Sequence, residues 1–438
     1  MGGSRNGHII TGTPIAVDFW KISECSFVKL FFLTHLHADH IMGLSKSWCF
    51  PIYTSPVNAS LLPLKVTGLD PTLVKPLQLY EEHLIPVCKS QTSSTTVTVT
   101  LFEANHCPGA VMFLFQGEFG NVLYTGDFRY KPEILNVKLL PTIDILYLDN
   151  TYCSPECMFE TQEEATRTVV EKVKELLEEN RKILIGIDSL GKENLLLSIF
   201  EETGCEISVT EERMKTLKTL DISHIATHLD SKIMAVPTQI INAKTMMHWN
   251  KVCPTSAILP TARFVGCGSD PYVNYKDIYV VPYSDHSSFS ELRLFVDLVH
   301  PHSVVPIVPK DAKGVFGRDI SDRADMSVFC ALLRKERTDA EEYWKDSEDN
   351  FSVDGSGDCI GPDFRLKIQQ KTATNASLTT TNEVEVKSDC ERTSESVHSC
   401  SSDEEDTVWE VLRLNGTSPI PEVRYFTRNP FGIRFKKK

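Results

Sequence analysis

Along the first 150 residues, short apolar runs alternate with polar loops. Residues 26–33, 95–102, 111–115, 122–124 and 143–148 are rich in β-branched and aromatic side chains, the pattern of strands. Gly117 and Gly120 between two of these runs predict a hairpin. The texture then changes. Thr161-x-x-Glu164 is a capping-box pattern. Ala165, Val169, Val173, Leu176 and Leu177 follow on one helical face. Residues 183–187 read as a buried strand, and Ser189-Leu190-Gly191-Lys192 leads into another helix. This βα alternation predicts a separate α/β domain. Strands return at 257–259, 278–281 and 304–308.

From about residue 340 the pattern fades. Residues 371–402 are dominated by Thr, Ser, Asn, Glu and Asp, and residues 403–406 are all acidic, a composition that predicts disorder. Inside this tail, Trp409, Val411, Leu412, Leu414, Tyr425 and Phe426 form a late apolar patch. It reads equally as a docking segment for a partner and as a fragment packing on its own protein. The terminal Lys436, Lys437 and Lys438 are too few to establish nuclear import.

The chain has 438 residues, 41% of them hydrophobic, which is enough for two or three domains with a sizeable core. No stretch of about 18 apolar residues predicts a membrane span, and the first fourteen residues do not read as a secretory signal. A soluble, intracellular protein with no membrane partner is expected. The thirteen cysteines are an odd number without a Cys-x-x-Cys pair. Cys153 and Cys157 fit no common zinc template, so reduced, mostly buried thiols are expected. The net charge is −14, half of it in residues 336–438. A nucleic-acid binder is expected to be basic, so the bulk charge argues mildly against that class unless local patches carry the contact.

The chemistry concentrates in His35-Leu36-His37-Ala38-Asp39-His40, directly after a predicted strand. Three imidazoles and a carboxylate in six residues suit Zn²⁺ and similar divalent ions. Packing alone would leave such groups buried without partners. His106, in Asn105-His106-Cys107-Pro108-Gly109, and Asp127, in Thr125-Gly126-Asp127-Phe128-Arg129, follow later strands. Each is weak alone; their placement at strand ends joins them to the histidine cluster. Asp18, in Val17-Asp18-Phe19-Trp20, is either a carboxylate orienting a ligand histidine or an ordinary capping residue.

In this order, Asp18, His35-x-His37-x-Asp39-His40, His106 and Asp127 resemble the first four motifs of the metallo-β-lactamase superfamily. Leu148-Asp149-Asn150-Thr151 and Pro282-Tyr283-Ser284-Asp285-His286-Ser287-Ser288 resemble its β-CASP branch of DNA-repair nucleases, most closely the 5′ exonucleases. The resemblance covers about residues 13–310. It implies an α/β protein: a metallo-β-lactamase αββα sandwich with an inserted α/β β-CASP domain and a disordered C-terminal tail. The sandwich is expected over 1–158 and 276–335, the insertion over 159–275 and the tail over 336–438.

By this resemblance, His35, His37, His106 and Asp127 hold a first metal. Asp39, His40, His286 and the shared Asp127 hold a second. Zinc is expected, with Mg or Mn as options at the second site. Asp39, with Asp18 and Asp149, is expected in catalysis. Lys192 and Arg263 are expected to pair with a terminal 5′-phosphate, with Thr261 and Ser284 beside it; a solvated surface role for Lys192 stays open. The implied activity is 5′-to-3′ DNA exonuclease action through a metal-activated water, in interstrand-crosslink repair and telomere end processing. DNA with a 5′ end is the partner, the nucleus the location, and repair or telomere proteins are the expected partners of the tail.

Two positions depart from the family pattern. Met234 stands where the middle β-CASP motif has His, and Ala262 replaces Ser in Pro260-Thr261-Ala262-Arg263. The tail has no clear Tyr/Phe-x-Leu-x-Pro docking motif. Two other readings remain: a small-molecule hydrolase of the lactamase type on the same metal core, and a repair scaffold with weakened activity, suggested by Met234 and the long acidic tail.

Overall fold

The computed structural model describes residues 7–24, 26–87, 96–135, 140–268 and 271–334. The expected tail at 336–438, with its apolar patch, lies outside the described residues. Seventeen strands in the described residues form three sheets. The first sheet is built of β1 (His8–Ile9), β2 (Ile15–Val17), β3 (Leu30–Phe32), β4 (Ile52–Thr54) and β5 (Val74–Pro76), in that order. The second takes β6 (Glu82–Pro86), β7 (Thr96–Glu103), β8 (Val111–Gly117), β9 (Gly120–Tyr124) and β10 (Ile145–Leu148), closed at its far edge by β17 (Ser303–Pro306). The β8–β9 hairpin pairs Gly117 with Gly120, as the glycine spacing predicts.

The two sheets pack face to face. Ile15, Val17, Leu30 and Phe32 of the first meet Val99, Leu101, Phe113, Phe115 and Tyr124 of the second in one apolar layer. Helix α1 (Pro56–Lys65), with Trp20 and Trp48, covers the outer face of the first sheet. Helix α6 (Phe289–Val299) contributes Leu292, Phe295 and Val296 to the outer face of the second. This is the αββα sandwich expected.

The third sheet is wholly parallel, in the order β13 (Ala226–Thr227), β12 (Ile207–Ser208), β14 (Ile233–Pro237), β11 (Lys182–Ile187), β15 (Thr255–Pro260) and β16 (Ile278–Val281). Parallel strands need crossovers and both faces covered. α2 (Gln162–Glu178), α3 (Glu193–Thr203) and α4 (Glu211–Thr219) cover one face, and α5 (Ala243–Val252) the other. The Thr161–Glu164 capping box starts α2, and its buried face is Ala165, Val169, Val173 and Leu176, as the spacing predicts. The expected boundary at 275 falls before the last strand of this sheet. Residues 278–281 pair with β15, because an apolar run announces a strand but not the sheet it joins.

Candidate metal centre

The centre sits where strand ends release the chain into loops. β3 leads to Thr34 and the histidine cluster, β7 to His106, β9 to Asp127, and β10 to Asp149. Gly126 has φ +55°, and a Cβ there would lie 2.9 Å from the Thr34 side chain. A glycine lets the Asp127 turn close against the first sheet. Asp18 and Asn105 also take left-handed backbone, at φ +54° and +52°, the local strain that clusters at functional sites.

Three imidazoles converge. His37 Nδ1 lies 3.1 Å from His35 Nε2 and 3.0 Å from His106 Nε2. Asp127 Oδ2 is 3.7 Å from His35 Nε2 and from His106 Nε2. The outward nitrogens settle the proton positions. His37 Nε2 donates to the Leu190 carbonyl at 3.1 Å, and His106 Nδ1 to the Asp285 carbonyl at 2.9 Å. The Thr34 hydroxyl donates to Asp18 Oδ2 at 2.6 Å and so accepts from His35 Nδ1 at 3.0 Å. Each inward nitrogen is therefore a lone pair.

Burial pushes all three pKa values down, that of His106 to about 3, so the rings are neutral. Three lone pairs and a carboxylate oxygen facing one another call for a cation. The nitrogen separations approach the ~3.3 Å edge of a tetrahedron built on zinc–nitrogen bonds of about 2.0–2.1 Å. The donor set fits a divalent metal.

Beside it stands a second set. His40 Nδ1 donates to Asp18 Oδ2 at 2.7 Å, which leaves Nε2 3.4 Å from Asp127 Oδ2 and 3.9 Å from Asp39 Oδ2. His286 Nδ1 donates to Asp149 Oδ2 at 2.7 Å, with Nε2 3.9 Å from Asp127 Oδ2. Asp127 thus lies between both sets. Burial opposes charge on these two rings, but the facing carboxylates win. Asp127 and Asp18 hold His40 well above the usual range, and Asp149 and Asp127 raise His286 to about 9. Protons stand there where a second cation would. Asp39, 44% exposed, is the solvent-facing carboxylate of the centre.

Asp18 and Asp149 lie one bond further out, each fixing one histidine. Asp149 also accepts from the Thr151 amide and hydroxyl at 2.9 and 2.6 Å. Lys192, at the start of α3, directs its ammonium at Asp285 Oδ2, 3.0 Å away, and stands 3.8 Å from Asp188. Burial opposes its charge, while Asp285 and Asp188 raise its pKa. Ser284 is buried and exchanges hydrogen bonds with the His286 backbone. Thr261 and Arg263 stand at the end of β15, with Arg263 half-exposed and 3.7 Å from Asp188. Cys107 adjoins the centre, but burial pushes its thiol well up, which makes it a poor thiolate ligand.

Beyond Asp18, the sequence pattern assigns no role to the groups that orient these ligands. Thr34, Asp285 and the Leu190 carbonyl act there, and so does Arg129. This fully buried guanidinium donates to the Ser284 and Glu160 carbonyls at 2.7 and 2.8 Å and pairs with Glu291 at 3.1 Å. Thr34 and Asp285 carry a sequence signal, as polar residues abutting the ligand candidates His35 and His286. Met234 and Ala262 are buried in apolar clusters, Met234 with Leu184, Val236 and Ile241, Ala262 with Tyr152 and Cys157. Neither belongs to the converging donor sets.

Residues 199–312 match the family model described as DNA repair metallo-beta-lactamase. The chain is 43% identical over 311 residues to "5' exonuclease Apollo" of Danio rerio, covering 69% of this chain and 52% of that protein. It is 42% identical over 330 residues to the protein of the same name in Mus musculus, covering 74% and 59%. To "DNA cross-link repair 1A protein" of Homo sapiens it is 34% identical over 334 residues, covering 70% and 31%. The matched part is thus between about a third and three fifths of these curated relatives.

Proposed function

The chain belongs to the metallo-β-lactamase/β-CASP family of DNA-repair nucleases, and from that premise we propose that it is a metal-dependent exonuclease degrading DNA from 5′ ends. The observation that carries the reading is the shared Asp127, with three histidine lone pairs on one side and the His40, Asp39 and His286 set on the other. The nitrogen-rich first set suits zinc; the second, with more oxygen, also suits Mg or Mn. A divalent ion bound there lowers the pKa of water to about 7 and neutralises charge on a phosphoryl oxygen.

The chain's own residues do the rest. Asp39, solvent-facing, accepts a proton from the attacking water and orients it. His286 and His40 hold their inward nitrogens through Asp149 and Asp18. Arg263, at the mouth, meets the 5′-phosphate as a charged fork. Lys192 holds Asp285, and through its carbonyl His106. A nuclear location follows from this reading, and crosslink repair is the process printed in the names of some relatives.

Metal analysis joined to digestion of DNA labelled at either end tests this. Metal-loaded protein is expected to release 5′-terminal nucleotides from single- and double-stranded DNA, and chelation to stop it. Loaded protein that leaves DNA intact, or releases nucleotides from 3′ ends, overturns the reading.

A further inference from the structure

Beyond the metal centre, a row of aromatic rings runs away from its rim. The Tyr152 ring stands edge-on to His286, with centroids 6.0 Å apart. Ala262 and Val265 pack with Tyr152 and Cys157, which fixes the loop after β15 at this rim. Arg263 in that loop reaches Asp188, in the loop whose Leu190 carbonyl holds His37. The next residue, Phe264, begins the row. Phe316 lies nearly parallel to it, at 16° and 6.3 Å; Tyr272 stands 5.9 Å from Phe264, and Tyr275 6.1 Å from Tyr272. The row ends in an open cleft of about 420 Å³ lined by Tyr272, Tyr275, Tyr279, Lys172 and Lys276.

Four features set this row apart from ordinary surface aromatics. Phe316 is 80% exposed, yet held at φ +59°, a conformation that costs a bulky residue energy without burying its ring. Its loop is tied down, because Arg318 bonds the Gly266 carbonyl and pairs with Glu156 at 3.2 Å. Tyr272 is fixed by its hydroxyl on the Ile241 carbonyl at 3.3 Å. Cations flank the rings: Arg263 at one end, Lys276 and Lys172 at the other, with Lys172 Nζ 4.8 Å over the Tyr279 ring. Rings at roughly even spacing with basic side chains at either end make a stacking platform for unpaired bases. In an acidic chain, such a local patch is also where a polyanion would be met.

We infer that Phe316, Phe264, Tyr272 and Tyr275, with Lys172 and Lys276, form a binding track for single-stranded DNA that begins at the rim of the metal centre. The track rests on the reading of the chain as a DNA exonuclease. It adds a site for the bases downstream of the cleaved end. Stacking is tolerant of sequence, so the track holds a strand in register while nucleotides are removed, without choosing among them.

The test measures binding without cleavage, by fluorescence anisotropy in EDTA, with a labelled 5′-phosphorylated single strand of about 12 nucleotides. Phe316→Ala and Tyr275→Ala are each expected to weaken binding about tenfold, and Phe316→Trp to restore it. Both positions are exposed, so the fold survives. The same strand with abasic sites in place of its downstream bases should bind wild type and Phe316→Ala alike. Unchanged affinity in both alanine variants, or equal loss on abasic and ordinary strands, overturns the track. A protein that degrades DNA while Phe316→Ala and Tyr275→Ala bind normally refutes the track alone. Ring-dependent binding without any nuclease activity refutes the activity reading alone.

Discussion

Replacing Asp18 with Asn separates the electrostatics of the centre from its shape. Asn fills the same volume, and it tolerates the left-handed backbone that Asp18 takes at φ +54°. Its carbonyl still accepts from the Thr34 amide, now 2.8 Å from Oδ1. The loss falls on Oδ2, which accepts from the Thr34 hydroxyl at 2.6 Å and from His40 Nδ1 at 2.7 Å. An amide NH₂ in that place donates, so His40 must turn its Nδ1 lone pair toward it. The proton then moves to Nε2, where a metal would bind. One charge-assisted hydrogen bond to a buried group is worth about 1.5–3 kcal/mol, or about ten- to a hundredfold in affinity at about 1.4 kcal/mol per decade. The second ion is expected to bind that much more weakly, while the first, three of whose donors do not touch Asp18, loses less. Chelator competition on the purified variant, resolved into two binding steps, measures both. If Asp18→Asn binds both ions as wild type does, the histidine tautomers are not set by the outer carboxylates and the argument fails.

Asp39→Asn is expected to lower cleavage by about 10²–10⁴-fold, the usual worth of a positioned proton acceptor, with the melting temperature unchanged; near-normal turnover excludes Asp39 as the acceptor. Lys192→Met leaves Asp285 buried without its cation, so a loss of about 3–5 kcal/mol in a denaturant melt is expected, with equal losses of activity on DNA with and without a 5′-phosphate. A loss confined to phosphorylated ends would instead make Lys192 a phosphate ligand. The metal-free protein should be most stable near pH 6.5. On the acid side, His106, lowered to about 3, stays unprotonated when folded but takes a proton when unfolded. At pH 5 this costs about 2 kcal/mol, and His35 and His37 add in the same direction. On the alkaline side, His286, raised to about 9, contributes stability that is complete below about pH 6.5 and is lost as the pH rises through 9. A melting temperature climbing steadily from pH 5 to 9 contradicts this.

The converging donors were legible because their residue types are improbable as packing. His35, His37, Asp39 and His40 within six residues have no apolar explanation, His106 and Asp127 gain weight only beside them, and Asp149 and His286 stand out only through the family resemblance. The long strands and α2 were legible for a different reason: β7, β8 and α2 are long enough for a period to repeat. β1, β2, β4 and β5 span only two or three residues, too few for alternation to register. The run predicted at 26–33 shrinks to Leu30–Phe32 because Phe27 is largely exposed in a turn. Lys192, at a helix start, reads as either a phosphate ligand or a solvated surface charge. Its pairing with Asp285, 93 residues away, has no local signature.

The least legible part of the centre is its dependence on the third sheet. Carbonyl oxygens have no residue type, yet Leu190 O fixes His37, and that carbonyl belongs to the loop between β11 and α3. Arg213 on α4 holds this loop in place: it pairs with Glu193 at 2.8 Å and bonds the Asp188 carbonyl, and both partners flank the loop. Lys192 of the same loop holds Asp285, whose carbonyl fixes His106. Two of the three neutral ligand histidines thus take their orientation from the inserted α/β layer and its junction with the sandwich. A metal that prefers those tautomers also prefers that loop position, because any ligand selecting one arrangement stabilises it by its differential affinity. Metal affinity and the seating of the inserted domain are therefore one coupled equilibrium: loosening Arg213 must weaken metal binding, although it touches no ligand.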